Sequence, residues 1–209
     1  MNNSSIIVRR EELLLLPQRA VFWPKKSVLF LSDLHLGKAG HFRKHGIPVS
    51  RKVHLADLEN LYRLIGYYRP KKILLLGDLF HSYKNSEWLD FVEFLEIHPN
   101  IHFILVKGNH DILSKYPDSL EVTQKLVEEP FSFTHMKEED VHYNISGHLH
   151  PGVTIRGIAR QGATMPCFLF SDQHAILPAY GQFTGIKKIR PLKKDRIFAI
   201  ADCQVIELT

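Results

Sequence analysis

Five short runs rich in β-branched and aromatic residues, 27–31, 73–76, 101–106, 131–133 and 143–145, each give way to glycine or polar residues. This pattern predicts five strands. Between the first two, Leu55, Leu58, Leu61, Tyr62 and Ile65 recur at helical spacing before Pro70, which predicts an amphipathic helix over 53–68. A second helix, with Trp88, Phe91, Val92 and Leu95 on its apolar face, ends at Pro99 and Asn100. Strands alternating with helices imply a sheet whose crossovers place helices on its faces. The last third reads differently, with a strand from Pro166, a turn at Asp172-Gln173 and a strand over 175–177. A loop through Gly181 and Gly185 and strands over 196–201 and 204–208 complete the chain. No internal repeat or linker interrupts it, so these hairpins are expected to complete the same sandwich in a single domain over 1–209.

Composition narrows the class. The chain has 209 residues, 44% hydrophobic and 23% charged, with 12 Gly and 11 Pro, which excludes disordered and low-complexity proteins. Cys167 and Cys203 are too few for a disulfide framework and are expected to be inert packing residues. The short apolar run at Leu13, Leu14, Leu15 and Leu16 comes after Glu11 and Glu12 and does not read as a secretory signal, so a cytoplasmic protein is expected. No apolar stretch approaches the roughly 20 residues that span a bilayer. The formal net charge of +5 favours an anionic partner.

The residues that can do chemistry cluster at the strand exits. The first strand runs into Asp33-Leu34-His35, the second into Gly77-Asp78, the third into Gly108-Asn109-His110-Asp111, the fourth into Thr134-His135 and the fifth into Gly147-His148-Leu149-His150. Imidazole, carboxylate and amide oxygen gathered at the C-terminal edge of a sheet form a donor set suited to Mn, Fe or Zn. In Asp33-Leu34-His35, as in His148-Leu149-His150, an extended chain puts the two outer side chains on one side. Each motif alone could be a turn or a cap; five in succession after five strands make a metal centre the expected reading.

This series resembles the calcineurin-like metallophosphoesterases. Further stretches, around Leu36-Gly37-Lys38 with His41 and Arg43, around Gly77 and Asp78, at Pro166-Cys167-Phe168 and at Tyr180-Gly181-Gln182-Phe183-Thr184-Gly185, resemble the DNA-ligase-associated metallophosphoesterases, a bacterial group linked to DNA repair. Ile186 departs from the second glycine expected after Gly185. The resemblance implies an α/β fold, a four-layer αββα sandwich with mixed sheets and no separate cap domain. It implies two divalent metal ions, Mn²⁺ before Fe or Zn, with Asp33, His35 and His150 holding one, Asn109, His135 and His148 the other, and Asp78 bridging. His110 would contact the phosphate and assist the leaving oxygen, with Asp111 orienting its ring.

His81 could touch substrate or support a neighbouring ligand. Lys38, His41 and Arg43 could meet flanking phosphates or lie in a solvated loop. The basic segment 187–196 reads either as a strip for a nucleic-acid backbone or as a soluble turn. The implied activity is a DNA endonuclease that hydrolyses phosphodiester bonds with a metal-activated hydroxide, with DNA, and with the ligase and helicase of the same repair pathway, as partners. Alternatives are a same-fold enzyme for a small nucleotide or lipid pyrophosphate, and a non-catalytic scaffold.

Overall fold

The structure is a computed structural model that describes residues 3–36, 52–80, 86–156 and 162–208. Its first sheet comprises β1 (Ser4–Val8), β2 (Glu11–Leu15), β3 (Val21–Trp23), β4 (Val28–Leu31), β5 (Lys72–Leu76), β6 (His102–Val106) and β7 (Leu120–Thr123), adjacent in that order. The strands from β1 to β4 form an antiparallel meander, and those from β4 to β7 are parallel. Helix α1 (Lys52–Tyr68) connects β4 to β5, and α2 (Ser86–Glu96) connects β5 to β6. Parallel crossovers share one hand, so a sheet that grows in one direction receives both helices on one face and leaves the other face free.

A second, mixed sheet covers that free face. Its strands are β8 (Leu126–Glu128), β9 (Phe131–Phe133), β10 (Tyr143–Ser146), β11 (Pro151–Arg156), β12 (Gly162–Phe170), β13 (His174–Ile176), β14 (Lys187–Lys188), β15 (Arg196–Ala201) and β16 (Gln204–Leu208). Side chains of the central strands alternate between two cores. Leu29 and Leu31, Ile73 and Leu75, and Phe103 and Leu105 pack on Leu58, Leu61 and Leu64 of α1 and on Trp88, Phe91 and Phe94 of α2. Their neighbours Val28, Phe30, Leu74, Leu76, Ile104 and Val106 meet Phe131, Phe133, Ile145, Phe168 and Phe198 of the second sheet. Strands buried on both faces read as continuous apolar runs, which is why these were visible in the sequence. Edge-to-face pairs such as Phe30 and Phe133, with centroids 5.3 Å apart, knit the sheets together.

The expected α, β and β layers are present. On the outer face of the second sheet Cys167, Leu169, Ile176 and Ile197 form a small cluster with Leu149, Val153, Ile189 and Leu208. Among the described residues no helix lies over it. Burial pushes the Cys167 thiol up to about 12, in keeping with an inert packing role. Cys203 is instead exposed in the β15–β16 turn, where Asp202 and Cys203 both have positive φ, as in a type I′ hairpin turn. No described helix is long and apolar enough to cross a membrane.

Candidate metal centre

Parallel pairing brings several strand exits to one edge, where backbone bonds stitch them together. The Asp33 N–H donates to the Gly77 carbonyl at 3.1 Å, that of His35 to Asp78 at 2.9 Å and that of Leu36 to Leu79 at 2.8 Å. From the second sheet, the Gly147 N–H donates to the His135 carbonyl at 3.0 Å, and that of Tyr180 to the Ser32 carbonyl at 2.8 Å. Close approach of these loops leaves no room for a side chain at several glycines. A Cβ on Gly77, which sits at φ 78°, would overlap the His135 ring, and one on Gly108 would overlap Asp78.

Asp33, His35, Asp78, His148 and His150 all have φ between 49° and 64°, although none is glycine. The outer residues of Asp33-Leu34-His35 and His148-Leu149-His150 therefore converge through left-handed residues flanking a leucine, and not along the extended chain that their spacing suggests. Such conformations cost on the order of 1–3 kcal/mol each and persist where surrounding structure enforces them. Here the enforcement is the backbone stitching between the loops.

The convergence produces two donor groups. Ligating atoms of Asp33, His35 and His150 lie within 4.8 Å of one another, as do those of Asp78, His135 and His148. Asn109 joins the second, its Oδ1 lying 3.0 Å from His135 Nε2. Hydrogen bonding fixes the tautomer of His135: its Nδ1 lies 3.0 Å from the Leu76 carbonyl, which can only accept, so Nδ1 carries the proton. Nε2 of the same ring then faces Asn109 Oδ1 and His148 Nδ1, each at 3.0 Å, and Asp78 Oδ1 at 3.4 Å. Four atoms able to donate a lone pair to a metal thus point together. In the first group the buried Asp33 Oδ1 and His150 Nε2 stand 3.2 Å apart, and neither completes a hydrogen bond. The residues present thus fit two divalent cations, each held by imidazole and oxygen donors.

Protonation favours the ligating forms. Burial would raise the Asp33 carboxyl, but the adjoining His150 and, after it, His135 outweigh it and hold Asp33 below its ordinary range. Burial, and after it the adjoining His135, lower His148 below the ordinary imidazole range. Asp111 is raised by burial, against the backbone hydrogen bonds it accepts.

His110 stands on the rim. Its backbone N–H donates to Asp78 Oδ1 at 3.0 Å, its Nε2 is 4.0 Å from Asp78 Oδ2, and its side chain is 44% exposed. That exposure suits a group meeting substrate. Asp111 acts differently from the role implied by resemblance: its carboxylate accepts from Leu79, Phe80 and Gly108 N–H at 2.9, 3.3 and 2.9 Å. It clamps the loops carrying Asp78 and His110 together, and the carboxylate within 4.0 Å of the His110 ring is that of Asp78. Lys38, His41, Arg43 and His81 lie outside the described residues.

The basic segment is divided by the fold. Lys187 and Lys188 adjoin the centre, because the Lys187 N–H donates to the His150 carbonyl at 2.9 Å. Lys194 instead lies 3.8 Å from Asp172, in the turn before β13 at the far edge.

Sequence reasoning passed over Asn144, fully buried within β10. Its amide donates to Ser132 and Thr134 hydroxyls at 3.2 and 2.9 Å and accepts from the Glu138 N–H at 3.1 Å, bracing the loop that carries His135. The signal was a lone polar residue inside an apolar run. Asn144→Ala removes three hydrogen bonds, two of them to hydroxyls of buried residues, and is expected to lower stability by about 1–3 kcal/mol, measured by urea unfolding.

Residues 26–161 match the calcineurin-like phosphoesterase family, and the chain belongs to that family. Among solved structures it is similar to the nuclease MPE of Pseudomonas putida, at 29% identity and a TM-score of 0.85, over 99% of this chain and 100% of that one. YfcE, a phosphoesterase from E. coli, matches at 17% identity and a TM-score of 0.43, over 87% of this chain and 97% of that one. No curated protein matches.

Proposed function

We propose that this phosphoesterase is a two-metal-dependent phosphodiesterase that cleaves DNA as a repair endonuclease. The observation that carries this reading is the pair of adjoining donor groups, in which carboxylate, amide and imidazole ligand atoms converge. The full-length likeness to a nuclease supports a nucleic-acid substrate. Asp33, His35 and His150 would hold one cation, Asn109, His135 and His148 the other, and Asp78 both. Two divalent cations bound there supply Lewis-acid charge for the phosphoryl oxygens and an acidified water as nucleophile. The mixed imidazole and oxygen donors suit Mn²⁺, Fe or Zn, and Mn²⁺ is the cation proposed.

The protein's own groups orient and select. The Leu76 carbonyl holds the tautomer of His135, so that its Nε2 faces the centre. Asp111 fixes the loop presenting His110, whose part-exposed imidazole is placed to protonate the departing oxygen.

The test compares hydrolysis of plasmid DNA with that of a small chromogenic phosphodiester, before and after chelation. Chelation is expected to abolish both activities and Mn²⁺ to restore them best. Full activity in excess chelator, with no metal found by elemental analysis, would overturn the two-metal reading. Hydrolysis of the small diester without cleavage of DNA would overturn the nuclease assignment alone.

A further inference from the structure

Residues 181–187 form a loop tethered at both ends to the first donor group. The Gly181 N–H donates to the Asp33 carbonyl at 3.2 Å, and the Lys187 N–H donates to the His150 carbonyl at 2.9 Å. Between these anchors the Thr184 N–H donates to the Gly181 carbonyl at 3.2 Å, closing a turn. Upstream, Ala179 pairs with Ser32, and both it and Tyr180 are buried, so the loop rises from a fixed base. Ile186 packs its Cγ2 against Gly152, where no Cβ could be accommodated, which seats the chain just before Lys187.

This loop shows solvent an aromatic ring and, beyond it, two cations. Phe183 is 46% exposed, and Lys187 and Lys188 are exposed too. Isolated exposed hydrophobic residues are ordinary. Phe183 is distinguished by its position, two residues and therefore at most about 7 Å from the residue bonded to Asp33. A metal centre grips any phosphodiester in the same way, so a preference for nucleic acid must come from groups that meet a base or a flanking phosphate. A phenyl ring offers a stacking face that accepts any base, and lysines supply the sequence-independent phosphate contact.

We propose that Phe183 stacks on the base of a nucleotide beside the cleaved phosphodiester and that the Lys187-Lys188 pair contacts a neighbouring phosphate. The proposal rests on the nucleic-acid reading of the centre. Both contacts come from one short loop fixed to Asp33 and His150, so they place the strand relative to the metals.

The test uses the Mn²⁺-loaded full chain, an oligonucleotide and a small chromogenic diester. Phe183→Ala is expected to lower kcat/KM on the oligonucleotide about tenfold more than on the diester, mainly through KM. Phe183→Trp should restore the oligonucleotide value, and Val141→Ala, at an exposed apolar position in another loop, should leave both values unchanged. Replacing Lys187 and Lys188 together by Ala should flatten the salt dependence of oligonucleotide binding, by about 0.7 in logarithmic slope for each single-strand phosphate no longer neutralised. Equal losses on both substrates in Phe183→Ala, or no rescue by Trp, would overturn the stacking assignment. An unchanged salt slope would remove the lysines from it. A wild-type enzyme that hydrolyses the diester but no oligonucleotide would overturn this proposal and the nuclease reading together, whereas oligonucleotide cleavage unaffected by Phe183→Ala would overturn this one alone.

Discussion

Asp78→Asn is expected to empty the centre of metal while leaving the protein folded. Asp78 is 2% exposed, contributes to the second donor group and sits in a loop whose backbone is bonded to His35, a member of the first. If its carboxylate serves both cations, the substitution removes a full negative charge from each at once, and elemental analysis should show loss at both positions. Turnover should fall by more than about 10³-fold, corresponding to the several kcal/mol of charge stabilisation that bound metal provides.

Thermal unfolding supplies an independent readout. In the wild type, two sites each filled at about 100 times their dissociation constant add about 5 kcal/mol, or roughly 10–20 °C in a chain of this size. That increment should collapse in the variant. Without metal the order should reverse, because a buried carboxylate beside other buried ligand groups costs desolvation energy that an amide relieves. A metal-free Asp78→Asn protein at least as stable as metal-free wild type, together with disappearance of the metal increment, would show that the residue is kept for binding and not for folding. Retention of both metals at wild-type occupancy would show that Asp78 does not bridge.

The parts of this centre differ in how plainly the sequence announced them. Strands β4, β5 and β6 were visible because burial on two faces leaves unbroken apolar runs, and the Asp, Asn and His residues stand out at the point where those runs stop. Strands β1 to β3 were not. In β2, Glu11 is buried and accepts from the Trp23 indole at 2.9 Å, with Lys25 as its second partner, so a charged residue occupies an inward position and masks the alternation. Strand β14 is two lysines, paired through backbone alone, and carries no strand signal of any kind.

Residue types also left the geometry open. Asp33 and His35 share one donor group, whereas His148 and His150 fall in different ones, and the left-handed backbone that places them depends on hydrogen bonds to loops distant in sequence. The same holds for Asp111, whose partners Leu79 and Phe80 lie about thirty positions upstream. A sequence shows which groups can donate and accept; only the fold shows which of them are already engaged, and that distinction separates the clamp Asp111 from the rim residue His110.

His110→Ala is expected to keep both metals and the fold while lowering turnover roughly 10²–10⁴-fold, the usual contribution of a positioned acid or base. Its backbone N–H, not its ring, is bonded to Asp78, and that bond survives the substitution. Removing a part-exposed ring also leaves no buried cavity, so unfolding should shift little. The size of the loss should depend on what departs. A deoxyribose oxygen is a poor leaving group and needs a proton as its bond to phosphorus breaks, whereas nitrophenolate leaves readily without one. Protonation by His110 therefore predicts a substantially larger loss on DNA than on the nitrophenyl diester. If the ring only binds the phosphate, the losses should match, since both substrates present the same group. Loss of metal from the variant would place His110 among the ligands and require its exposed ring to turn inward toward Asp78, 4.0 Å away. Comparing the two substrates at saturating concentration, with metal content measured on the same samples, separates these three cases.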